Sequence, residues 1–316
     1  MKRARMQECF GDVYAYFAPV NRSTETGTVF DPSAGFDLNN PPAPWIHVGR
    51  VQNFKRSSAT SIGAIRTGQA GAVQAQYRKA VDARVSLDFC EWGKLQMALA
   101  ASSQHMNVLA SNGSQPRASG GVAVAATPIL TGSTATLILV ATAALSNFSV
   151  GDMVVVDVDF VAGATELGSG ITGGTAAATA QMDADAIRRV SYNVARVAAV
   201  TSTGLQLDAP LLGGVPAATA QVQKVMGFVD REGGSFFQEW SALFALGEKN
   251  GGQVFYYYPR LQSSAPAEET FAKLDDDLRS AYLHAEFAAM ASVDANNGET
   301  VVCYRSYIPA AGTPAY

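Results

Sequence analysis

A chain of 316 residues can bury a core without disulfide staples, and its length suggests one large domain or two smaller ones. Only 16% of residues are charged, little for the surface of a freely soluble monomer, which points to a surface that meets protein. A formal net charge of −4 excludes an overall basic field that would recruit nucleic acid, and no apolar run reaches the length of a transmembrane helix.

The opening Lys2, Arg3 and Arg5 form a small basic patch, but Gln7, Glu8 and Asp12 interrupt what would be the apolar core of a signal peptide. Residues 1–44 read as an arm with a first strand over Phe10 to Val20, where Tyr14, Tyr16 and Phe17 come near alternation. Pro32, Asn39-Asn40 and Pro41-Pro42 make the rest irregular, and its aromatic content favours docking over disorder. Trp45 to Lys55 predicts a strand, Ser57 to Gly71 a polar loop, and Ala72 to Phe89 a second extended segment. In the latter, Val81, Ala83, Val85, Leu87 and Phe89 alternate with charged or polar residues. Together they form a long hairpin that needs a partner to cover it. A helix follows over Glu91 to Ala101.

From Ser111 to Thr136 the composition shifts to Gly, Ser, Thr and Ala, and residues 118–221 read as an inserted small β domain. Its short strands are Thr136 to Ala141, Met153 to Phe160, Asn193 to Val200 and Leu205 to Leu207; their spacing with Gly-Asp turns suggests a small barrel. Ala176 to Ala180 and its glycine-rich lead-in read as a mobile loop, and Val222 to Val229 as a strand returning to the first domain. Ser235 with Gln238 offers a capping box, and Phe236, Trp240, Leu243, Phe244 and Gly247 recur at helical spacing. A helix over Ser235 to Leu246 is therefore expected, ended at Gly251-Gly252 and followed by a strand Gln253 to Tyr258 that Pro259 closes. Glu268 to Leu278 is in helical phase, whereas Tyr282 to Val293 and Thr300 to Ile308 form a hairpin about Asp294 to Gly298. Residues 310–316 are a tail.

No stretch carries the pattern of a reaction centre. Cys9, Cys90 and Cys303 lack metal-ligand spacing and read as small buried hydrophobes; a disulfide between two of them stays open. Asp275-Asp276-Asp277 point in different directions, and Asp157 and Asp159 follow ordinary strand alternation. His47, His105 and His284 have no companion ligands, Gly168 to Gly174 lacks the ending of a phosphate loop, and Ser103 and Ser235 sit in no nucleophile elbow. Tyr256-Tyr257-Tyr258 read as a strand with protein on both faces. No catalytic, cofactor-binding or metal residues are assigned, so the expectation is a protein that is not an enzyme. Arg50, Lys55, Arg56, Arg66, Arg78 and Tyr77 lie along the hairpin and are candidates for contacts between subunits, where basic residues would pair with acidic ones.

The order of these parts resembles the tail tube proteins of long-tailed bacteriophages. The resemblance rests on the docked arm, the Trp45-Ile46-His47-Val48-Gly49 strand that opens the hairpin, its return through Val81 to Phe89, and Cys90-Glu91-Trp92-Gly93-Lys94-Leu95. The helix over Ser235 to Leu246 and the C-terminal hairpin complete it. It implies a mainly β fold, a β-sandwich or barrel flanked by an α-helix, made from residues 45–117 and 222–309, with the 118–221 insert as an added domain. It further implies hexameric rings stacked through the hairpin loop and the termini into a tube that conducts DNA without specific binding. Its partners would be copies of itself and other tail proteins, with no membrane and no cofactor. Its place would be the virion tail, reached from the host cytoplasm. A carbohydrate- or surface-binding β protein that uses the insert, another virion component such as a tail terminator or capsid protein, and a hydrolase with a nonlocal site are the alternatives.

Overall fold

The computed structural model describes residues 11–21, 24–42, 44–67, 71–109, 126–157, 161–166, 172–175, 193–211, 214–232, 238–247, 251–264, 267–275 and 278–309. The protein is mainly β. The first strands are β1 (Val13–Pro19), β2 (Ile46–Thr67) and β3 (Ala72–Phe89), followed by helix α1 (Lys94–Ala101) and β4 (Gln104–Leu109). Next come β5 (Thr127–Pro128), β6 (Leu137–Leu139), β7 (Met153–Asp157), β8 (Val161–Glu166), β9 (Thr172–Thr175), β10 (Val194–Val200), β11 (Gly204–Leu207) and β12 (Gln221–Arg231). The chain ends with β13 (Glu239–Gly247), β14 (Gln253–Ser263), β15 (Glu268–Asp275), β16 (Leu278–Ala289), β17 (Ser292–Val293), β18 (Thr300–Val301) and β19 (Tyr304–Ile308).

One sheet runs β15-β16-β3-β2-β1-β13-β14-β19, all neighbours antiparallel. A short ladder from Leu261–Ala289 to Ser263–Phe287 also joins β14 to β16, which curls the sheet into a half-barrel drawn together at that point. Alternation divides its strands cleanly. Phe17, Val85, Leu87, Phe89, Trp240, Ala242, Phe244, Tyr258 and Phe287 fill the inside. Tyr16, Ala18, Leu243, Ala245, Phe255 and Tyr257 face outward beneath the arm, which contributes Phe30 and Trp45. Phe36 packs edge-on against Tyr16 and Trp45, and the Tyr16 and Tyr257 hydroxyls donate to the Leu38 and Thr28 carbonyls at 2.8 and 2.7 Å.

The second sheet runs β6-β11-β10-β7-β12-β4-β9-β8, with β5 also on β12. An Ile129–Val140 bridge links the chain after β5 to the chain after β6, so pairings from β12 through β7, β10, β11 and β6 return to β12. Ile138, Val140, Phe148, Val154, Val156, Val197, Leu205 and Val222 fill this circuit. The strand expected at Val222 to Val229 exists but pairs with β4, β5 and β7 of the second sheet rather than with the first.

Five further sequence expectations are corrected. The helix expected over Ser235 to Leu246 is, in its described part, strand β13. Seven consecutive buried residues there reflect a strand covered on both faces, and Trp240, Leu243 and Phe244 satisfy a helical spacing by coincidence. The stretch Glu268 to Leu278, also read as helix, is strand β15 up to Asp275. Pro259 does not close its strand: β14 passes through it at a bulge opposite Ser241, where no ladder N–H is required. Ser57 to Thr67, read as loop, is the outer half of β2. Its small residues are exposed on both faces, so they carry no burial period, and pairing with β3 imposes the strand. Residues 176–180 and 310–316, expected as mobile loop and tail, lie outside the described residues, whereas the glycine-rich lead-in expected with that loop is strand β9 at Thr172–Thr175, paired with β4 and β8.

Candidate assembly surface

The β2–β3 ladder starts beside the barrel at Val51–Phe89 and continues to Thr67–Ala72. Strand β1 leaves β2 at Val51, and β16 leaves β3 at Arg84. From Ser57 and Arg84 outward, the two strands therefore pair only with each other among the described residues, and the ribbon reaches about 35 Å. Its base is anchored: Phe54 packs on Phe244 and Tyr256, and Arg56 Nε donates to the Tyr258 hydroxyl at 3.2 Å with its guanidinium 5.6 Å from the Tyr256 ring. That hydrogen bond keeps the Arg56 pKa above its usual value, while burial raises those of Tyr258 and Cys303.

Beyond the base the ribbon is solvated. Ile62, Ile65, Val73 and Tyr77 are 57%, 51%, 43% and 53% exposed. The register puts Tyr77 and Ile65 on one face, Ile62 and Val73 on the other. Tyr77 lies across Gly63, where a Cβ would collide with its ring.

The six sequence-derived contact candidates divide by environment. Arg50 Nη1 pairs with Asp12 of its own chain at 3.1 Å, and this partner raises the arginine's pKa. Arg56 is tied to Tyr258, and Arg66 Nη1 donates to the Gly71 carbonyl at 3.0 Å near the tip. Lys55, Arg66, Arg78 and Tyr77 are exposed. From Lys55 to Arg84 the ribbon has six basic residues against one acid, a net of +5, so the rest of a chain at −4 carries −9.

A groove that the sequence did not signal opens on the outer face of β14. Thr26, Val29, Phe30, Pro32, Tyr257, Pro259, Val293, Asp294 and Tyr304 line a cleft of about 520 Å³. It shares Pro32 and Ser306 with a second cleft of about 530 Å³ along Phe36, Phe255 and Ile308. Arg260 holds the walls together. Its Nε and Nη2 donate to Glu239 Oε2 and Oε1 at 2.9 and 3.1 Å, and its Nη1 to Glu25 Oε2 and the Ala291 carbonyl at 3.1 and 3.2 Å. Asp294 accepts from the Tyr304 hydroxyl at 2.8 Å and from the Asn296 N–H at 2.9 Å, which lowers its pKa. Only the convergence of residues 25–32, 257–260 and 291–306 makes this groove, so no local pattern announces it.

The other chemical candidates do not converge. His284 Nδ1 lies 2.6 Å from Asp88 Oδ1, and Asn53 Nδ2 donates to Asp88 Oδ2 at 2.6 Å, which ties β2, β3 and β16 together. His47 sits against the Tyr14 and Tyr16 rings, and burial lowers its pKa. Cys90 and Cys303 are free thiols; Cys9, Asp159, Asp276, Asp277 and Ser235 lie outside the described residues. Among the described residues no group of three or more His, Cys, Asp or Glu could hold a metal ion, and no helix is long and apolar enough to cross a membrane. No protein-family model matches this sequence, and a comparison with curated proteins finds no relative.

Proposed function

We propose that this chain is a structural subunit of a bacteriophage tail tube, which forms six-membered rings stacked into a conduit for DNA and performs no catalysis. The observation that carries this reading is the β2–β3 ribbon. A solvated two-stranded ribbon with apolar side chains on both faces is marginal in water, and docking on neighbouring copies would cover it. The half-barrel has two sheet ends, β15 and β19, and edge pairing between copies would remove both. A heterologous contact that closes by rotation makes a ring, and one that does not makes a filament. Other tail proteins would be its partners, in the virion tail after assembly in the host cytoplasm.

The surface-binding alternative asks for exposed aromatics on the insert; of its three, Phe148 is buried in the second core, and Phe160 and Tyr192 lie outside the described residues. The test is negative-stain electron microscopy over a concentration series with particle size measured in parallel. Hollow tubes or stacked rings of uniform diameter are expected. A monomer that persists at every concentration, with tail-tip components added, would overturn the reading.

A further inference from the structure

The ribbon and the groove are complementary in two independent ways. Val29 and Val293, at the lips of the cleft, are 78% and 68% exposed, and Phe30, Pro32, Tyr257 and Pro259 continue the apolar lining between them. The ribbon presents Ile62, Ile65, Val73 and Tyr77. The charges are opposed as well. Glu25, Asp31 and Glu299 are exposed on the segments that frame the cleft, and Asp294 lines it. Arg260, next in the chain to the lining residue Pro259, is consumed by Glu239 and Glu25, and Arg305 alternates with the lining residues Tyr304 and Ser306 and so faces away. The ribbon, at +5, is the basic element of an acidic chain.

One chain cannot bring the two together. Arg56 anchors the ribbon to Tyr258 on the inner face of β14, whereas the cleft opens on the outer face of that strand at Tyr257. The tip extends about 35 Å beyond this anchor. We infer that the ribbon of one copy seats in the Val29–Val293 groove of a second copy, Tyr77 and Ile65 covering the apolar lips and Lys79, which lies beside Tyr77 over Gly63, meeting the acidic frame. This rests on the tube reading and specifies its stacking contact. Such a contact is heterologous and leaves the pair with one free ribbon and one free groove, so it propagates.

The test uses the full chain in two variants whose changes lie on exposed side chains: Tyr77→Asp with Ile65→Asp in the ribbon, and Val29→Asp with Val293→Asp at the groove. Circular dichroism and urea midpoints check the folds, and Glu299→Lys is a second groove variant should the first fail to fold. Each variant alone is expected to form rings that do not stack, with association weakened roughly tenfold or more. Mixed, the intact groove of one accepts the intact ribbon of the other, giving ring pairs and nothing longer. Wild-type stacking should also weaken from ~0.05 M to ~0.5 M salt.

If both variants stack like the wild type, the groove assignment falls while the tube reading stands. Single-file association without rings overturns the tube reading and leaves the ribbon–groove contact. If the ribbon variant loses affinity for a duplex DNA probe and the groove variant stacks normally, the ribbon's partner is nucleic acid and the inference is wrong. A wild-type chain that never associates overturns both.

Discussion

Glu239→Ala should be among the most costly single changes in the half-barrel outside the apolar core. Glu239 and Arg260 have side chains only 9% and 10% exposed, and they meet through two hydrogen bonds on adjacent strands. Gln262 Nε2 adds a third at 2.7 Å to the same carboxylate. Removing the carboxylate leaves the guanidinium with the Ala291 carbonyl and with Glu25, whose side chain is 71% exposed and therefore screened. Breaking a buried pair from one side costs ~3–5 kcal/mol, and two charge-assisted hydrogen bonds at ~1.5–3 kcal/mol each give the same range. The double variant Glu239→Leu/Arg260→Met removes both charges and should return to within ~1 kcal/mol of the wild type. Urea unfolding of the four proteins, below the concentration at which they associate, measures the cycle. A loss under ~1 kcal/mol for Glu239→Ala, or two single losses that simply add, would refute the assignment of this pair as the clamp between arm, barrel and groove.

Lys94 gives a pH signature. Burial pushes its pKa down to about 8, and the ammonium lies 5.6 Å from the centre of the Phe228 ring. The unfolded chain keeps that proton to ~10.4, so stability should rise as pH climbs from about 8 toward that value and stay at its full penalty below it. Lys94→Met should flatten this window and add ~1–2 kcal/mol at neutral pH, reduced from the full shift by residual solvent contact; identical midpoint changes at pH ~7 and ~9.5 would contradict it. A Cβ on Gly27 would strike the Pro259 carbonyl and Ser241 Oγ, the latter bonding the arm to the barrel by accepting the Thr28 N–H, so Gly27→Ala should cost ~1–3 kcal/mol and expose the arm to limited proteolysis; an unchanged digestion pattern counts against that docking. Replacing residues 58–81 by a two-residue turn should leave the unfolding free energy within ~1 kcal/mol, because these side chains are largely solvated, and should abolish assembly; retained tubes would remove the ribbon from the assembly surface.

Strands with one wet face were readable from the chain. Val81 to Phe89 alternates because Ala83, Val85, Leu87 and Phe89 face the core while their neighbours meet water or polar partners. Strands β6, β7, β10 and β11 of the insert were readable too, whereas β5, β8 and β9 were not. Alternation disappears where both faces have one environment. In β13 the arm buries the outer face, so Trp240 to Ala245 reads as an apolar run that a helix also explains. In the outer half of β2 neither face is buried, and Ser57 to Thr60 reads as loop. The site divides likewise. Basic and aromatic residues on a long hairpin could be counted in the sequence, whereas the groove exists only where three distant segments converge. Its clamp, Glu239–Arg260, joins a residue expected in a helix to one just beyond the expected end of the following strand.

On the proposed assembly, the composition of the ribbon bears on how it would persist before it finds a partner. An uncovered pair of strand edges is a template for indiscriminate pairing, and proteins blunt such edges with cations and bulges. Both devices are here: Arg66, Arg78, Lys79 and Arg84 are distributed along it, and register shifts fall between Ser61 and Ile62 and between Ile65 and Arg66. Like charges repel ribbon from ribbon, which disfavours self-pairing of the same element. The same cations are attracted to the acidic remainder of another copy. On the proposed contact, one charge pattern would disfavour ribbon–ribbon pairing and favour ribbon–groove pairing, the choice between an aggregate and an ordered stack. Neutralising Arg78 and Lys79 together should therefore weaken stacking and raise amorphous aggregation at once. An increase in ordered stacking from that change would mean that the cations oppose assembly rather than direct it.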